Sequence, residues 1–240
     1  MGKRMSLPSA LRPRTALSLM TCLTALSMIF SAGIAVLFDI AYGDTIDEKR
    51  ILIVSYSRTG KSQIVSDTLA EHLNADAVGL VDKKDRSGLW GYIGAAIDTK
   101  SAKFTTTEPA RIDLSPYSEI ILISPVWSFK LSVATRTFMH NHQLEGKNVL
   151  LFTTASADIY QYDKYDDQAS FIKRKLKSFM KKKREAFKDT ITETGARFLG
   201  HYHIATRNAT TEYIKEETKK WLCQGQQDLG WQINPSLACP

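Results

Sequence analysis

The sequence has 240 residues, of which 43% are hydrophobic and 24% are charged. This length supplies the core of one α/β domain and is too short for two domains of ordinary size. The net charge is +7, of which residues 1–43 contribute +3 and the rest of the chain +4. Such a modest basic excess suits anionic ligands. Because no nucleic-acid-binding module accompanies it, we do not expect nucleic acid as a partner.

The N-terminal segment, residues 1–43, has the pattern of a membrane anchor or a signal sequence. Four basic residues precede an uncharged stretch at 16–38, which is long enough to cross a bilayer as a helix. The upstream positive charge predicts that the following domain lies on the non-cytoplasmic (periplasmic or extracytoplasmic) side of the membrane. Small residues at 41–43 also fit a processing site, in which case the domain would be secreted after signal cleavage.

From residue 44 onward, compact apolar runs alternate with amphipathic stretches. The apolar runs predict strands at 51–54, 75–81, 119–124, 147–154 and 197–205. The amphipathic stretches predict helices at 61–73, 90–97, 132–144, 167–188 and 210–223. This alternation indicates a parallel sheet with helices on both faces, in a domain at 44–223. A tail at 224–240 follows the domain. If the domain is exported, a disulfide between Cys223 and Cys239 would attach this tail to the last helix; the alternative is two unrelated thiols.

The first predicted strand is followed by "SYSRTGKS" at 55–62, which contains the Gly-Lys-Ser of a nucleotide-triphosphate loop. A Walker A loop needs glycine where Ser55 stands, and neither later central strand ends in the aspartate that would hold magnesium. ATP or GTP hydrolysis is therefore disfavoured. The turn instead offers the hydroxyls of Ser57, Thr59 and Ser62 at a helix N-terminus, which suits one terminal phosphate. Close approach is possible at Gly60, and Arg58 and Lys61 could add charge.

Residues 57–62 resemble the phosphate loop of flavodoxin-like proteins, Ser/Thr-x-Thr-Gly-Asn-Thr/Ser, with Lys61 in place of the usual asparagine. Two later segments extend the resemblance. "SPVWS" after the third strand resembles the family's first flavin loop, and "TTASADIYQY" after the fourth resembles its second. The resemblance implies that FMN is bound by Ser57, Arg58, Thr59, Gly60, Lys61, Ser62, Pro125, Val126, Trp127, Ser128, Thr154, Ala155, Ser156 and Tyr160.

The resemblance implies a three-layer α/β sandwich with a five-stranded parallel sheet of order 2-1-3-4-5, in which these loops meet where the strand order reverses. It also implies electron transfer or FMN-dependent oxidoreduction, by an electron carrier or a quinone reductase-like enzyme acting at a membrane. The partner would be a redox protein or a quinone. The alternative is a binding module that has lost FMN, since Lys61 departs from the motif and residues 152–168 contain no glycine.

A basic helix and two pairs of histidines are the remaining patterns in the sequence. Eight of the twelve residues at 173–184 are Lys or Arg, in a helix with an apolar stripe. This face is either simply solvated or docks on anionic lipid or an acidic partner. The pairs His140 and His142, and His201 and His203, are each two residues apart, and we expect no metal site at either.

Overall fold

The computed structural model describes residues 50–86, 88, 91, 93, 94, 97, 98, 104–142, 144–160, 163, 168, 170–231, 233, 234, 237 and 239. The predicted anchor or signal at 1–43 lies outside the described residues. Within the described ranges, no helix combines the length and apolar character needed to cross a membrane. Of the predicted helix at 90–97, residues 91, 93, 94 and 97 are described, and all four are helical.

The strands form one mostly parallel sheet. They are β1 (Ile51–Tyr56), β2 (Ala75–Asp82), β3 (Thr107–Glu108), β4 (Glu119–Trp127), β5 (Lys130–Leu131), β6 (Asn148–Ala155) and β7 (Arg197–Ala205). The five long strands are all parallel and lie in the order β2-β1-β4-β6-β7. This is the predicted order 2-1-3-4-5. The short β3 and β5 add antiparallel pairs to β2 and β4.

Apart from the helical residues between 88 and 98, the described part of the chain has four helices with defined bounds, two on each face of the sheet. They are α1 (Lys61–His72), α2 (Val133–His142), α3 (Phe171–Thr192) and α4 (Thr211–Leu229). Leu52 and Val54 of β1 share a buried cluster with residues of α2 and α3, whereas Ile51 and Ile53 share another with residues of α1 and α4. Alternate side chains of a strand point to opposite faces, which is why the continuous apolar run of β1 lies in the middle layer of three.

Helix α4 differs from its prediction, because it continues past Cys223 to Leu229. Gly225 does not interrupt it; a side chain there would press on the ring of Trp221, 3.1 Å from the Cβ position. The break comes at Gly230, whose φ of +65° favours glycine. The helix therefore includes the first six residues of the predicted tail.

Strand β4 also runs further than predicted, through the proposed flavin loop to Trp127. Val126 and Trp127 pair with Leu131 and Lys130 in a two-residue hairpin. The turn residues Ser128 and Phe129 both have positive φ, 49° and 62°, as such hairpins require. The usual Asn-Gly signal is missing, so this hairpin was not predicted from the sequence.

The C-terminal tail is attached to the domain by a disulfide and by an indole. Cys223 and Cys239 are bonded, with their Cα atoms 5.5 Å apart. Between them, Trp231 is buried and donates a hydrogen bond from Nε1 to a carboxylate oxygen of Glu119, while Ile233 pairs with Leu73. The tail thereby covers the apolar cluster shared by α1 and α4.

Replacing Cys239 with serine is expected to lower the free energy of unfolding by about 3 kcal/mol, since a loop of this size restricts the unfolded chain by that amount. Urea denaturation with and without a reductant measures the effect. The wild type should lose the same stability on reduction, and the variant should lose none. Equal midpoints for the two proteins under oxidising conditions would contradict a stabilising disulfide.

Candidate functional site

The loop between β1 and α1 has the features of an anion site. Gly60 stands at the start of α1 with a φ of +84°, and the position of a Cβ atom there has no heavy atom within 4 Å. No side chain caps the helix, and its first turn has no acidic residue. Among the described residues, the first backbone N–H groups of α1 therefore have no side-chain acceptor, and a ligand can approach the helix closely at Gly60.

Two buried hydroxyls at this loop add to the donor set. The Oγ atoms of Ser55 and Ser57 are inaccessible and have no hydrogen-bond partner among the described residues. A buried hydroxyl without a partner costs free energy, because its hydration is lost without replacement. The sequence predicted Ser57 as a phosphate donor but not Ser55.

The three predicted loops meet through a short chain of contacts. Ser62, in the first turn of α1, is buried and shares a 2.8 Å hydrogen bond with Oγ1 of Thr154. Thr154 lies near the end of β6, and in the sheet it is paired with Pro125 of β4. The phosphate loop and both predicted flavin loops therefore meet at the carboxyl edge of the sheet.

The charged residues of the phosphate loop point away from its centre. Lys61 donates from Nζ to the backbone oxygen of Ala209, at 2.6 Å, and so connects α1 to the loop before α4. Arg58 makes a long hydrogen bond, 3.5 Å, from Nη1 to the backbone oxygen of Arg86 beyond β2. Lys61 thus links two loops in this structure, a role that its place in the motif did not indicate.

Trp127, predicted to stack on a flavin ring, lies in the core with 9% of its surface exposed. Its ring packs edge-on against Tyr56, with centroids 5.7 Å apart and planes at 84°. Val126 and Ser128 are half-buried beside it in the hairpin. Most of the indole surface is therefore covered by the protein itself.

Tyr160, in the third loop, belongs to a half-buried hydrogen-bond network that joins this loop to β6 and β7. Its hydroxyl is 2.8 Å from Nδ1 of His201, whose Nε2 is 2.7 Å from Oγ1 of Thr153. The same oxygen is 2.8 Å from Nδ1 of His203, and Nε2 of His203 is 3.0 Å from the carbonyl of Ala157. The two other predicted residues of this loop differ in exposure: Ala155 is half-buried and Ser156 is exposed.

The carbonyl of Ala157 determines the direction of every bond in this network. A carbonyl only accepts, so His203 carries its proton on Nε2 and accepts at Nδ1 from the hydroxyl of Thr153. Thr153 then accepts from Nε2 of His201, which leaves Nδ1 to accept from the hydroxyl of Tyr160. Both imidazoles are neutral in this arrangement, and the pKa of each is lowered mainly by burial, that of His201 to about 3.

The position of these loops identifies the type of fold. Strand β1 is flanked by β2 on one side and β4 on the other, so the chain reverses its direction across the sheet at β1. The uncapped end of α1 lies at this reversal, where doubly wound sheets of order 2-1-3-4-5 bind ligands. The chain has a flavodoxin-like fold.

Solved structures with a similar fold include several flavoproteins. A flavoprotein from Lactobacillus acidophilus NCFM in complex with FMN is 16% identical, covers 65% of this chain and 93% of its own, and has a TM-score of 0.46. General stress protein 14 from Treponema denticola in complex with FMN is 10% identical, covers 73% of this chain and 97% of its own, and has a TM-score of 0.45. Oxidised flavodoxin 2 from Bacillus cereus is 17% identical, covers 70% of this chain and 94% of its own, and has a TM-score of 0.34.

All three TM-scores are below 0.5, so the assignment of a flavodoxin-like fold rests on the strand order. No protein-family model matches the chain. No curated protein sequence matches it either.

A cavity of about 400 Å³ adjoins the phosphate loop of this flavodoxin-like fold on the β2 side. Its lining includes Ser57 and Arg58 from the loop, and Asp82, Lys84 and Arg86 from the end of β2 onward. Arg86 is buried and pairs with Asp82 at 2.5 Å and with Asp98 at 3.0 Å. The sequence does not indicate this cluster, because Asp98 follows Arg86 by 12 residues in a segment without clear periodicity.

Among the described residues, no group of three or more His, Cys, Asp or Glu side chains could hold a metal ion. His201 and His203 do lie on one face of β7, as expected. Their ring nitrogens are taken up by Thr153, Tyr160 and Ala157 in the network described above.

The neutral histidines make stability depend on pH. The unfolded chain binds a proton at His201 below its ordinary pKa of about 6.5, whereas the folded protein resists it down to about 3. The unfolded state therefore binds more protons in this window, and stability falls as the pH drops below about 6.5. For His201 alone the loss at pH 5 is about 2 kcal/mol.

Urea midpoints at pH 7 and pH 5 measure this loss. His201→Gln should lower stability at pH 7, because it breaks the network, but should lose less than the wild type between pH 7 and pH 5. Parallel pH curves for the two proteins would contradict a neutral, buried His201. Asp158, Asp163 and Arg184, which surround the network, are unchanged in both proteins.

Proposed function

We propose that this protein binds FMN at the carboxyl edge of its sheet and uses it for electron transfer or FMN-dependent oxidoreduction. The observation that carries the proposal is the N-terminus of α1, which is uncapped and open at Gly60. The unpartnered hydroxyls of Ser55 and Ser57 lie in the same loop and in the strand leading to it. A dianionic terminal phosphate would accept from the N–H groups at the start of α1 and from Ser57, which also lines the adjoining cavity.

The residues at this edge fit the phosphate end of FMN. Ser57 would donate its hydroxyl, and the backbone N–H groups at the start of α1 would hold the phosphate oxygens. Gly60 leaves room for that approach, because it has no side chain and its surroundings are open. Ser62 would act indirectly, since its hydroxyl is engaged with Thr154 and holds the first turn of α1 against β6.

When bound, FMN supplies one- or two-electron transfer. The protein's part is to hold the phosphate, to orient the rest of the molecule along the edge formed by Pro125 and Thr154, and to limit access of water. Tyr160 has a raised pKa, mainly because of burial, and so stays protonated and keeps its hydrogen bond to His201. The network thereby holds the third loop in one conformation.

We further propose an exported or membrane-anchored location and a redox protein or a quinone as partner. The disulfide between Cys223 and Cys239 supports export, since such bonds persist mainly in oxidising compartments. The uncharged stretch at 16–38 supports a membrane anchor. A basic surface would favour acidic or membrane-bound partners.

A binding module without FMN is the second candidate, and one observation favours it. Trp127 is only 9% exposed and its ring contacts that of Tyr56, which leaves little of the indole surface for a flavin ring. In such a module the site would hold a phosphate-bearing ligand through α1 and would have no redox role.

The visible spectrum of the purified protein, before and after addition of FMN, separates the two candidates. An FMN protein should show shifted flavin bands that bleach reversibly on reduction with dithionite. A module without FMN should leave the spectrum of added FMN unchanged while inorganic phosphate still raises its melting temperature. If added FMN keeps its free spectrum and phosphate does not raise the melting temperature, both candidates are refuted.

A further inference from the structure

We propose that the first half of α3 and the tip of the β4–β5 hairpin form a surface that binds an anionic lipid bilayer. The apolar members of this surface, called the α3 surface below, are Phe129, Phe171, Ile172 and Phe179. Its basic members are Lys175 and the lysines at 181–183.

The two halves of α3 differ in how they use their apolar side chains. None of its first nine residues is buried, whereas Met180, Phe187 and Ile191 further along are buried against the sheet. Phe171 is 62% exposed, Ile172 is 76% exposed and Phe179 is 44% exposed. Large apolar groups clustered at one exposed place, rather than scattered singly, indicate a surface that meets an apolar phase.

The hairpin brings a fourth apolar side chain to the same surface. Phe129 has a φ of +62°, a conformation that usually falls to Gly or Asn, and it is 43% exposed. Its ring meets that of Phe179 edge-on, with centroids 5.5 Å apart. Hairpin and helix therefore present their aromatic rings together, although they are far apart in the sequence.

The charges around these rings fit anionic headgroups. The ammonium of Lys175 lies 4.6 Å from the centre of the Phe171 ring, and that of Lys183 lies 5.2 Å from the centre of the Phe179 ring. Arg184 is excluded from the surface, because it binds Asp163 and the carbonyl of Ile159. Lysines beside exposed aromatic and aliphatic groups are the composition of helices that lie in a membrane interface.

A bilayer fits this surface better than an acidic protein does. The apolar side chains are at the tip of a hairpin and along the exposed start of a helix, and a bilayer accepts them without a complementary shape. Long lysines adapt to mobile lipid headgroups, each adding to the attraction. An acidic protein would instead need carboxylates placed against this particular pattern.

Hydrogen exchange of residues 171–182 in the full chain tests the proposal. The protein is reconstituted into phosphatidylcholine vesicles with or without phosphatidylserine. Slower exchange of this segment, by about tenfold or more, is expected only with phosphatidylserine. In the doubly substituted Lys175→Glu/Lys182→Glu protein the protection should disappear.

The matched control is Lys215→Glu/Lys220→Glu on α4, which makes the same charge change on the opposite face of the sheet and should keep the protection. All four lysines are exposed, and melting temperatures close to that of the wild type verify that both variants fold. Equal exchange in the two kinds of vesicle would overturn the proposal. Protection by soluble polyglutamate but not by the vesicles would overturn it in favour of an acidic protein partner.

Discussion

Replacing Thr59 with aspartate is expected to weaken FMN binding by about a hundredfold while leaving the fold intact. Thr59 is exposed and directly precedes Gly60. A carboxylate there would lie beside the backbone N–H groups that the phosphate needs, and would repel a phosphate at close range. Unfavourable charge contacts of this kind cost several kcal/mol, of which about 2.7 kcal/mol accounts for a hundredfold change.

The same substitution should slightly stabilise the protein, by up to about 1 kcal/mol, since α1 has no acidic residue in its first turn and no cap. If FMN binding is lost while stability increases, the loss is due to the binding site and not to unfolding. Thr59→Asn is the matched control, because asparagine has nearly the shape of aspartate but no charge; it should weaken FMN binding by no more than about tenfold, the loss of one hydroxyl hydrogen bond. Unchanged FMN affinity in Thr59→Asp would place the phosphate elsewhere.

Replacing Trp231 with alanine is expected to lower the free energy of unfolding by about 3–5 kcal/mol. The indole is buried between α1 and α4 and lies 6.0 Å from the ring of Trp221. Its Nε1 also donates to Glu119, a carboxylate that is buried at the start of the central strand β4. Alanine would remove both the apolar contact and a donor to a buried charge.

Trp231→Phe distinguishes these two contributions. It retains most of the ring and removes only the donor, so it should cost about 1–3 kcal/mol. Urea denaturation of the three proteins at pH 7 measures the difference. Losses below about 1 kcal/mol for the alanine variant would contradict a tail that is packed into the core.

The sheet could be predicted from the sequence because its central strands β1, β4 and β6 are buried on both faces. Apolar runs such as those at 51–54 and 119–124 have no other stable place in a small domain, and the helices between them require parallel pairing. The phosphate loop was predictable for a related reason. Strand, turn and helix are consecutive in sequence there, so the donor groups of Ser57 and Gly60 follow from local structure alone.

The parts that could not be predicted depend on contacts between distant residues. Lys61 donates a hydrogen bond to the backbone oxygen of Ala209, 148 positions away, and nothing in the loop motif indicates this partner. Trp127 was predicted to bind the flavin, and its motif gives no indication of the edge-on contact with Tyr56 that partly buries it in the structure. The spacing of His201 and His203 indicated a shared face of β7, but not Thr153 and Tyr160 as partners.

The end of α4 was misjudged for a local reason. The prediction ended the helix at Cys223, and Gly225 two residues later is a residue type that usually lowers helix stability. In the structure Gly225 is where the ring of Trp221 comes closest, and the absence of a side chain makes that contact possible. The favourable packing of the indole outweighs the backbone cost.

The most direct measurement of FMN binding through a phosphate cup is a comparison of FMN with riboflavin, which lacks the phosphate. Both flavins fluoresce, and quenching on titration with the purified protein yields a dissociation constant for each. FMN is expected to bind about a hundredfold more tightly, since two or more charge-assisted hydrogen bonds at the start of α1 depend on the phosphate. Equal affinities for the two flavins, or no quenching of FMN, would contradict the proposed site.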